Sequence, residues 1–381
     1  MEIFTLTEKR ESWIALTKAI ALILVIFIHC LPRDAFNGFL TGFVMPSFFI
    51  LYGVTHNSGK YRDNLKQYLL NRGRSLMIPY FILNLIIFAM YAVAYPTIDY
   101  GFPPLDYVYW FIYGNGPLGR VTHLWFLRTM FFAIVLFSVI DRYLHNKSVI
   151  FRFIIAAVSP GIGVLLKFST GVELVPWGMD AVLIALSFML IGSEIRKHHH
   201  VAPWSKNKRA DLVGLILAFA IYTYLSTINE FVNIGKSVYG NFIYSYIITG
   251  VVGTYLVGLL SYYACKRFVS LQRYADAYNQ VGQEVYETHP LIIETNVQLF
   301  GDLALAGTLY QWPRAPLFIF NFPLAIIISY LLATKVISRS SVLQFIFLGF
   351  RKPKDEPIKQ AFPVPEPNEN NDDEVIEGMD A

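Results

Sequence analysis

Residues 13–31 read WIALTKAIALILVIFIHCL, an apolar run broken by one lysine and one histidine. As a helix rising 1.5 Å per residue it is long enough to cross the roughly 30 Å of bilayer hydrocarbon. Lys18 and His29 are eleven residues apart. At 100° per residue they share one helix face, about 16 Å apart along the axis. Ionisable groups within lipid are costly, so they face protein or water and mark a pathway or a site. Histidine is the natural general base near neutral pH. A single membrane histidine also serves simply as a helix-packing hydrogen bonder. The face shared with Lys18 equally allows a site that holds an anion at one end and presents an imidazole at the other.

The composition says the same of the whole chain. Its 381 residues are 55% hydrophobic and only 15% charged, against about 25% charged in a soluble domain. Lipid must therefore be the solvent for much of it. Apolar runs begin at about 13–31, 39–54, 76–95, 122–140, 149–166, 179–195, 212–228, 242–264, 281–300 and 317–333. The expectation is an all-α polytopic membrane protein of about ten transmembrane helices. The seventh and ninth are the weakest, the ninth because it holds Glu287, His289 and Glu294.

Loop charges test that count. Loops 57–75, 141–152, 196–209, 265–280 and 334–354 hold five, three, five, three and five Lys or Arg, whereas the alternate loops hold only Arg33, Arg120, Lys167, Lys236 and Arg314. The positive-inside rule then puts both termini in the cytoplasm; the expected location is the plasma (inner) membrane, as a multi-pass protein. The charged opening MEIFTLTEKRESW and the lack of a small-residue cleavage site predict that the first span is retained. Residues 1–350 form the expected membrane domain. Residues 351–381, Pro-rich with nine acids and four bases, are expected to be a disordered cytoplasmic tail. Cys30 and Cys265 fall at opposite faces of this topology and cannot pair.

Other polar groups extend the candidate site. Lys60, Arg62, Lys66, Arg72 and Arg74 precede the third span; they suit anionic headgroups or the phosphates of a cytosolic donor. Arg128 lies inside the fourth span, with His123 and Trp125 near its outer end as candidate interfacial anchors. Glu287 and Glu294 share a face of the ninth span, with His289 to one side; a carboxylate near an imidazole would orient a catalytic histidine. Asp180 and Glu194 bracket the sixth span and are expected at the interfaces. His198–His200 reads as a solvated face. The outer loop 96–121, with TIDYGFPPLDYVYWFIYGNGPLGR at 97–120, is either an aromatic belt or a sugar-stacking platform, with Trp110 and Trp125 as acceptor contacts. No zinc spacing, Gly-rich phosphate loop, internal repeat or nucleic-acid motif is present.

Taken in order, these segments resemble the integral-membrane acyltransferase family 3, particularly its fucose 4-O-acetylase-like, surface-polysaccharide O-acetyltransferase branch. KAIALILVIFIH (18–29) matches its basic-residue, ten residues, histidine signature, with Lys18 where arginine is commoner. MPSFFILYG (45–53) has Tyr52 in place of serine, and RGRSLMIPY (72–80) has Ser75 in place of a second arginine. HLWFL (123–127), DAVLIALSFMLIG (180–192) and YETH (286–289) complete the series.

The resemblance implies transfer of an acyl group, most often acetyl from cytosolic acetyl-CoA, to a hydroxyl of a cell-surface polysaccharide or lipid-linked sugar. Acyl-CoA would be a co-substrate, with no permanently bound cofactor and no metal. The partners would be membrane lipid, the glycan acceptor and polysaccharide-assembly machinery. Expected roles are catalytic for His29, Glu287 and His289, and donor-binding for Lys18, Arg72, Arg74 and Arg128. The rival reading is a transporter or flippase for an anionic or glycolipid substrate. It would favour broken helices in matching halves, whereas Pro46 and the Pro160–Gly161 pair do not correspond.

Overall fold

The computed structural model describes residues 2–31, 35–57, 64–94, 104–115, 123–144, 148–171, 174–199, 207–303 and 315–351. Expectations for the tail beyond Arg351, for Lys60 and Arg62, for parts of the outer loop and for the His198–His200 side chains lie outside the described residues.

The helices run in the order α1 (Glu2–Cys30), α2 (Ala35–Thr55), α3 (Leu65–Ala94), α4 (Pro104–Ile112), α5 (Trp125–Leu144), α6 (Val149–Thr170) and α7 (Met179–His199). They continue with α8 (Lys208–Asn229), α9 (Ile243–Arg267), α10 (Val269–Asn279), α11 (Gly282–Leu303), α12 (Ala315–Leu331) and α13 (Ser341–Leu348). Among the described residues there is no strand, only an isolated bridge between Asn233 and Val238.

Among the described residues, eight helices are long and apolar enough to cross a membrane: α1, α2, α3, α6, α7, α8, α9 and the stretch Phe320–Arg339 that includes most of α12. The other two expected spans are helices α5 and α11, of 20 and 22 residues. Arg128, Asp141 and Arg142 fall within the first, and Glu284, Glu287 and Glu294 within the second. In a membrane bundle such helices persist because their charged faces turn toward protein.

Two segments of motif sequence meet in a close helix crossing. Gly53 of α2 and Gly192 of α7 cross backbone to backbone: a Cβ at Gly53 would lie 2.1 Å from the Met189 carbonyl oxygen, and one at Gly192 would lie 2.1 Å from that of Ile50. Without a hydrophobic drive between helices in lipid, small residues permit this close van der Waals packing. Behind the seam, Ala181, Ile184, Ala185, Phe188 and Met189 of α7 are fully buried.

Asp180 and Glu194, expected at the interfaces, are both buried within the protein. Asp180 accepts hydrogen bonds from Ser237 Oγ (2.6 Å) and Tyr239 Oη (2.5 Å), fastening the 230–242 connection to the start of α7. Glu194 and Asp141 flank Arg152, which bonds them at 3.2 and 2.7 Å and also donates to the Leu144 carbonyl at 3.1 Å. A charge buried in a bundle is tolerated when paired and hydrogen-bonded, and this triad joins α5, α6 and α7.

Candidate active site

α1 and α11 run parallel at the centre of the site. Asn279, just ahead of α11, donates from Nδ2 to the Ala15 carbonyl at 2.6 Å, and a Cβ at Gly282 would lie 3.5 Å from Leu22 Cδ2. Seven residues further along each helix, His29 and His289 meet, their ring centroids 5.0 Å apart and their planes at 77°. A third imidazole, His123, lies 5.9 Å from His289. Three rings separated by up to 260 residues of sequence thus form one cluster.

Hydrogen bonds to backbone carbonyls set the proton positions. A carbonyl only accepts, so each ring nitrogen facing one carries the hydrogen. His29 Nδ1 donates to the Val25 carbonyl at 2.7 Å, which leaves the lone pair of the neutral ring on Nε2. His289 Nδ1 donates to the Val285 carbonyl at 3.2 Å, and its buried Nε2 has no hydrogen-bond partner among the described residues. His123 Nε2 donates to the Glu287 carbonyl at 3.0 Å, and its Nδ1 is likewise without a hydrogen bond there. His29 is exposed, whereas His123 and His289 are buried. One imidazole therefore reaches solvent or substrate, and two stand behind it.

Tyr286 locks the cluster in place. Its hydroxyl donates to the His123 carbonyl, and its ring packs against His123, Phe126 and His289. The α11 backbone and the start of α5 are thereby clamped in both directions. His123 is the member that sequence reasoning missed, since its place beside Trp125 at a helix end reads as an interfacial anchor. Only the separation of its motif from YETH closing in space reveals it.

The other expected residues disperse. Glu287 is buried with Oε1 accepting from Gln283 Nε2 at 3.0 Å and Oε2 without a hydrogen bond among the described residues; Gln283 also donates to the carbonyls of Ser75 (2.9 Å) and Phe347 (3.0 Å). It is the backbone of Glu287, through its carbonyl, that touches a histidine. Lys18 is half-buried on α1, on the His29 face. Arg72 and Arg74, two residues apart, face opposite ways. The Arg72 guanidinium lies over the Tyr68 ring, 5.3 Å from its centroid, and the Tyr68 hydroxyl meets that of Tyr52. Arg74 is exposed beside α5.

Arg128 is buried and donates from Nη1 to the Gly114 carbonyl and to Asn115 Oδ1; Tyr80 donates to the same carbonyl at 3.0 Å. Gly178 leaves the space for the guanidinium, because a Cβ there would fall 2.2 Å from Nη2. Trp110 packs edge-on against Tyr109 and Tyr113 in an aromatic group next to α4. Trp125 lies flat on Gly235, where a Cβ would come within 2.3 Å of the indole. Among the described residues, no three His, Cys, Asp or Glu side chains are arranged to hold a metal ion.

Residues 11–334 match the family model for an acyltransferase domain, that of the acyltransferase 3 family. The chain belongs to the acyltransferase 3 family. The match spans the helices that carry every histidine of the cluster, and nothing in it supports the transporter reading. No curated protein and no solved structure matches the chain. As an acyltransferase of this family in a multi-pass membrane setting, the protein carries its one exposed cluster imidazole at the end of the helix bearing the family's Lys18-to-His29 segment.

Proposed function

We propose that the protein is a membrane O-acyltransferase, of the fucose 4-O-acetylase-like type, that moves an acetyl group from cytosolic acetyl-CoA to a hydroxyl of a cell-surface polysaccharide or lipid-linked sugar. The topology that goes with this reading has ten spans, α5 and α11 included, both termini in the cytoplasm and the inner membrane as its site. The observation that carries it is the His29 imidazole: exposed, fixed through Nδ1 to Val25, with its Nε2 lone pair directed away from its own helix.

In this mechanism His29 Nε2 takes the proton of the acceptor hydroxyl as the oxygen attacks the thioester carbonyl carbon. The new C–O bond forms, the C–S bond breaks, and the departing thiolate receives the proton from the imidazolium. Proton transfer of this kind contributes about 10²–10⁴-fold. His289 is the second histidine of the mechanism, backing His29 within the cluster, and Glu287 supports the cluster by accepting from His123 at its backbone carbonyl while Gln283 holds its carboxyl. Lys18, about 16 Å below His29 on one face, and Arg72 on its Tyr68 platform hold the donor phosphates. Arg128, tied to Gly114 and Asn115, positions the outer connection rather than the donor. The Trp110 aromatic group stacks the sugar, with Trp125 bracing the loop beside it.

The test follows label from acetyl-CoA added outside sealed inside-out vesicles that contain the protein and native glycolipids. Wild type should place label in a base-labile ester, and His29→Ala at equal expression should not. Label in both would remove the histidine mechanism. Label in neither, with folded protein and a competent acceptor, would remove the acetyl-transfer reading.

A further inference from the structure

Away from the histidines, a groove of about 740 Å³ runs between α3 and α5, within the roughly 300–1,000 Å³ of small-molecule sites. Leu69, Phe131 and Val135 give it an apolar wall, and Lys66, Arg74 and Arg142 stand along it. Gly73 keeps it open: a Cβ there would touch the Phe131 ring at 3.4 Å. The three cations are exposed, and none has an ion-pair partner among the described residues. Asp141, next to Arg142, is turned inward and bound by Arg152 at 2.7 Å.

We infer that this groove binds an anionic phospholipid, its phosphate among Lys66, Arg74 and Arg142 and an acyl chain along Leu69, Val135 and Phe131. The lining runs from Leu65 to Ile78 on α3, about 20 Å of helix, which suits one leaflet of a bilayer whose hydrocarbon is roughly 30 Å thick. Lys66 and Arg74 on the first turns of α3 and Arg142 on the last turn of α5 lie at the end of the bundle expected to be rich in Lys and Arg, where anionic headgroups gather and basic pockets between helices capture them. Leu70, on the same wall, is 50% exposed, so the groove opens to the outside of the bundle rather than toward the histidines. Coenzyme A offers the same phosphate chemistry, but its polar adenosine and pantetheine arm match the apolar wall less well than an acyl chain does. Arg72, proposed for the donor, points to the opposite side of α3.

The test uses the full chain in neutral detergent, with native mass spectrometry and thermal unfolding in the presence of phosphatidylglycerol, phosphatidylcholine or coenzyme A. Phosphatidylglycerol should bind and raise Tm while phosphatidylcholine does neither. K66Q/R142Q should weaken that binding about 25-fold, roughly fivefold per charge removed. Gly73→Leu fills the groove but keeps the cations and should also abolish binding; it keeps the test intact if the double variant does not fold. Equal binding of the two lipids would overturn the proposal, as would full phosphatidylglycerol binding in either variant. Displacement of phosphatidylglycerol by coenzyme A in wild type would reassign the groove to a soluble phosphate ligand.

Discussion

His29 and His289 stand edge to face with ring centroids 5.0 Å apart, brought level by two parallel helices that climb the same seven residues from Leu22 and Gly282. Their donors are both committed to the carbonyl four residues earlier on their own helix. Each neutral ring therefore carries its lone pair on Nε2.

This arrangement predicts non-additive loss. His29→Gln should lower transfer by about 10²–10⁴-fold with unchanged thermal unfolding, because the side chain is exposed. His289→Gln should lower it less. The double variant should be no slower than His29→Gln, since groups that act as a unit do not add. Initial rates in sealed vesicles decide this, and a double loss equal to the product of the single losses would dissociate the two rings.

Tyr286→Phe removes the hydroxyl that holds the His123 carbonyl while leaving the ring in place. A net hydrogen bond contributes about 0.5–1.5 kcal/mol, so unfolding in detergent should shift by about that amount. Transfer should fall with it as α5 loosens from α11. A variant with wild-type stability and rate would show that the clamp contributes nothing.

Gly53→Ala and Gly192→Ala each place a methyl about 2 Å from a backbone carbonyl in a place where neither helix can give way. Overpacking costs typically about 1–3 kcal/mol and more against backbone. Both variants should be recovered at reduced yield with lowered Tm, although neither glycine lies in the histidine cluster. Normal yield and Tm would refute the seam.

Arg152→Met strands Asp141 and Glu194 together in a dry site. Removing one member of a buried charge cluster costs about 3–5 kcal/mol. Substituting Asp141→Asn and Glu194→Gln in the same chain should recover much of that loss, because no uncompensated charge remains. Detergent unfolding curves measure both steps, and a mild Arg152→Met phenotype would mean the acids find another partner.

The sequence made the apolar helices and the Lys18–His29 face legible because both depend on local periodicity. Arg72 and Arg74 were both expected at the donor phosphates, although a two-residue step rotates a helix by about 200° and parts them. What could not be read was convergence. His123 and His289 belong to motifs 166 residues apart, and no local pattern reports that Glu287 offers its carbonyl rather than its carboxylate. Asp180 and Glu194 sit at helix ends, as interfacial groups do. Only the neighbouring Ser237, Tyr239 and Arg152 turn those ends into interior.

The Gly53–Gly192 crossing also decides which part of the bundle can yield. With main chain against main chain at this crossing, α2 and α7 have no side chains there to rearrange, so the crossing is stiff. On the other side, α11 and α12 carry Pro290 directly after His289, then Pro323, then a π turn over Leu332–Val336, each an interruption of the helical ladder. Admission of a bulky acceptor would bend this pair as a hinge. Because His289 directly precedes Pro290, flexing at that proline would reset the spacing of the two imidazoles, tying catalytic readiness to occupancy.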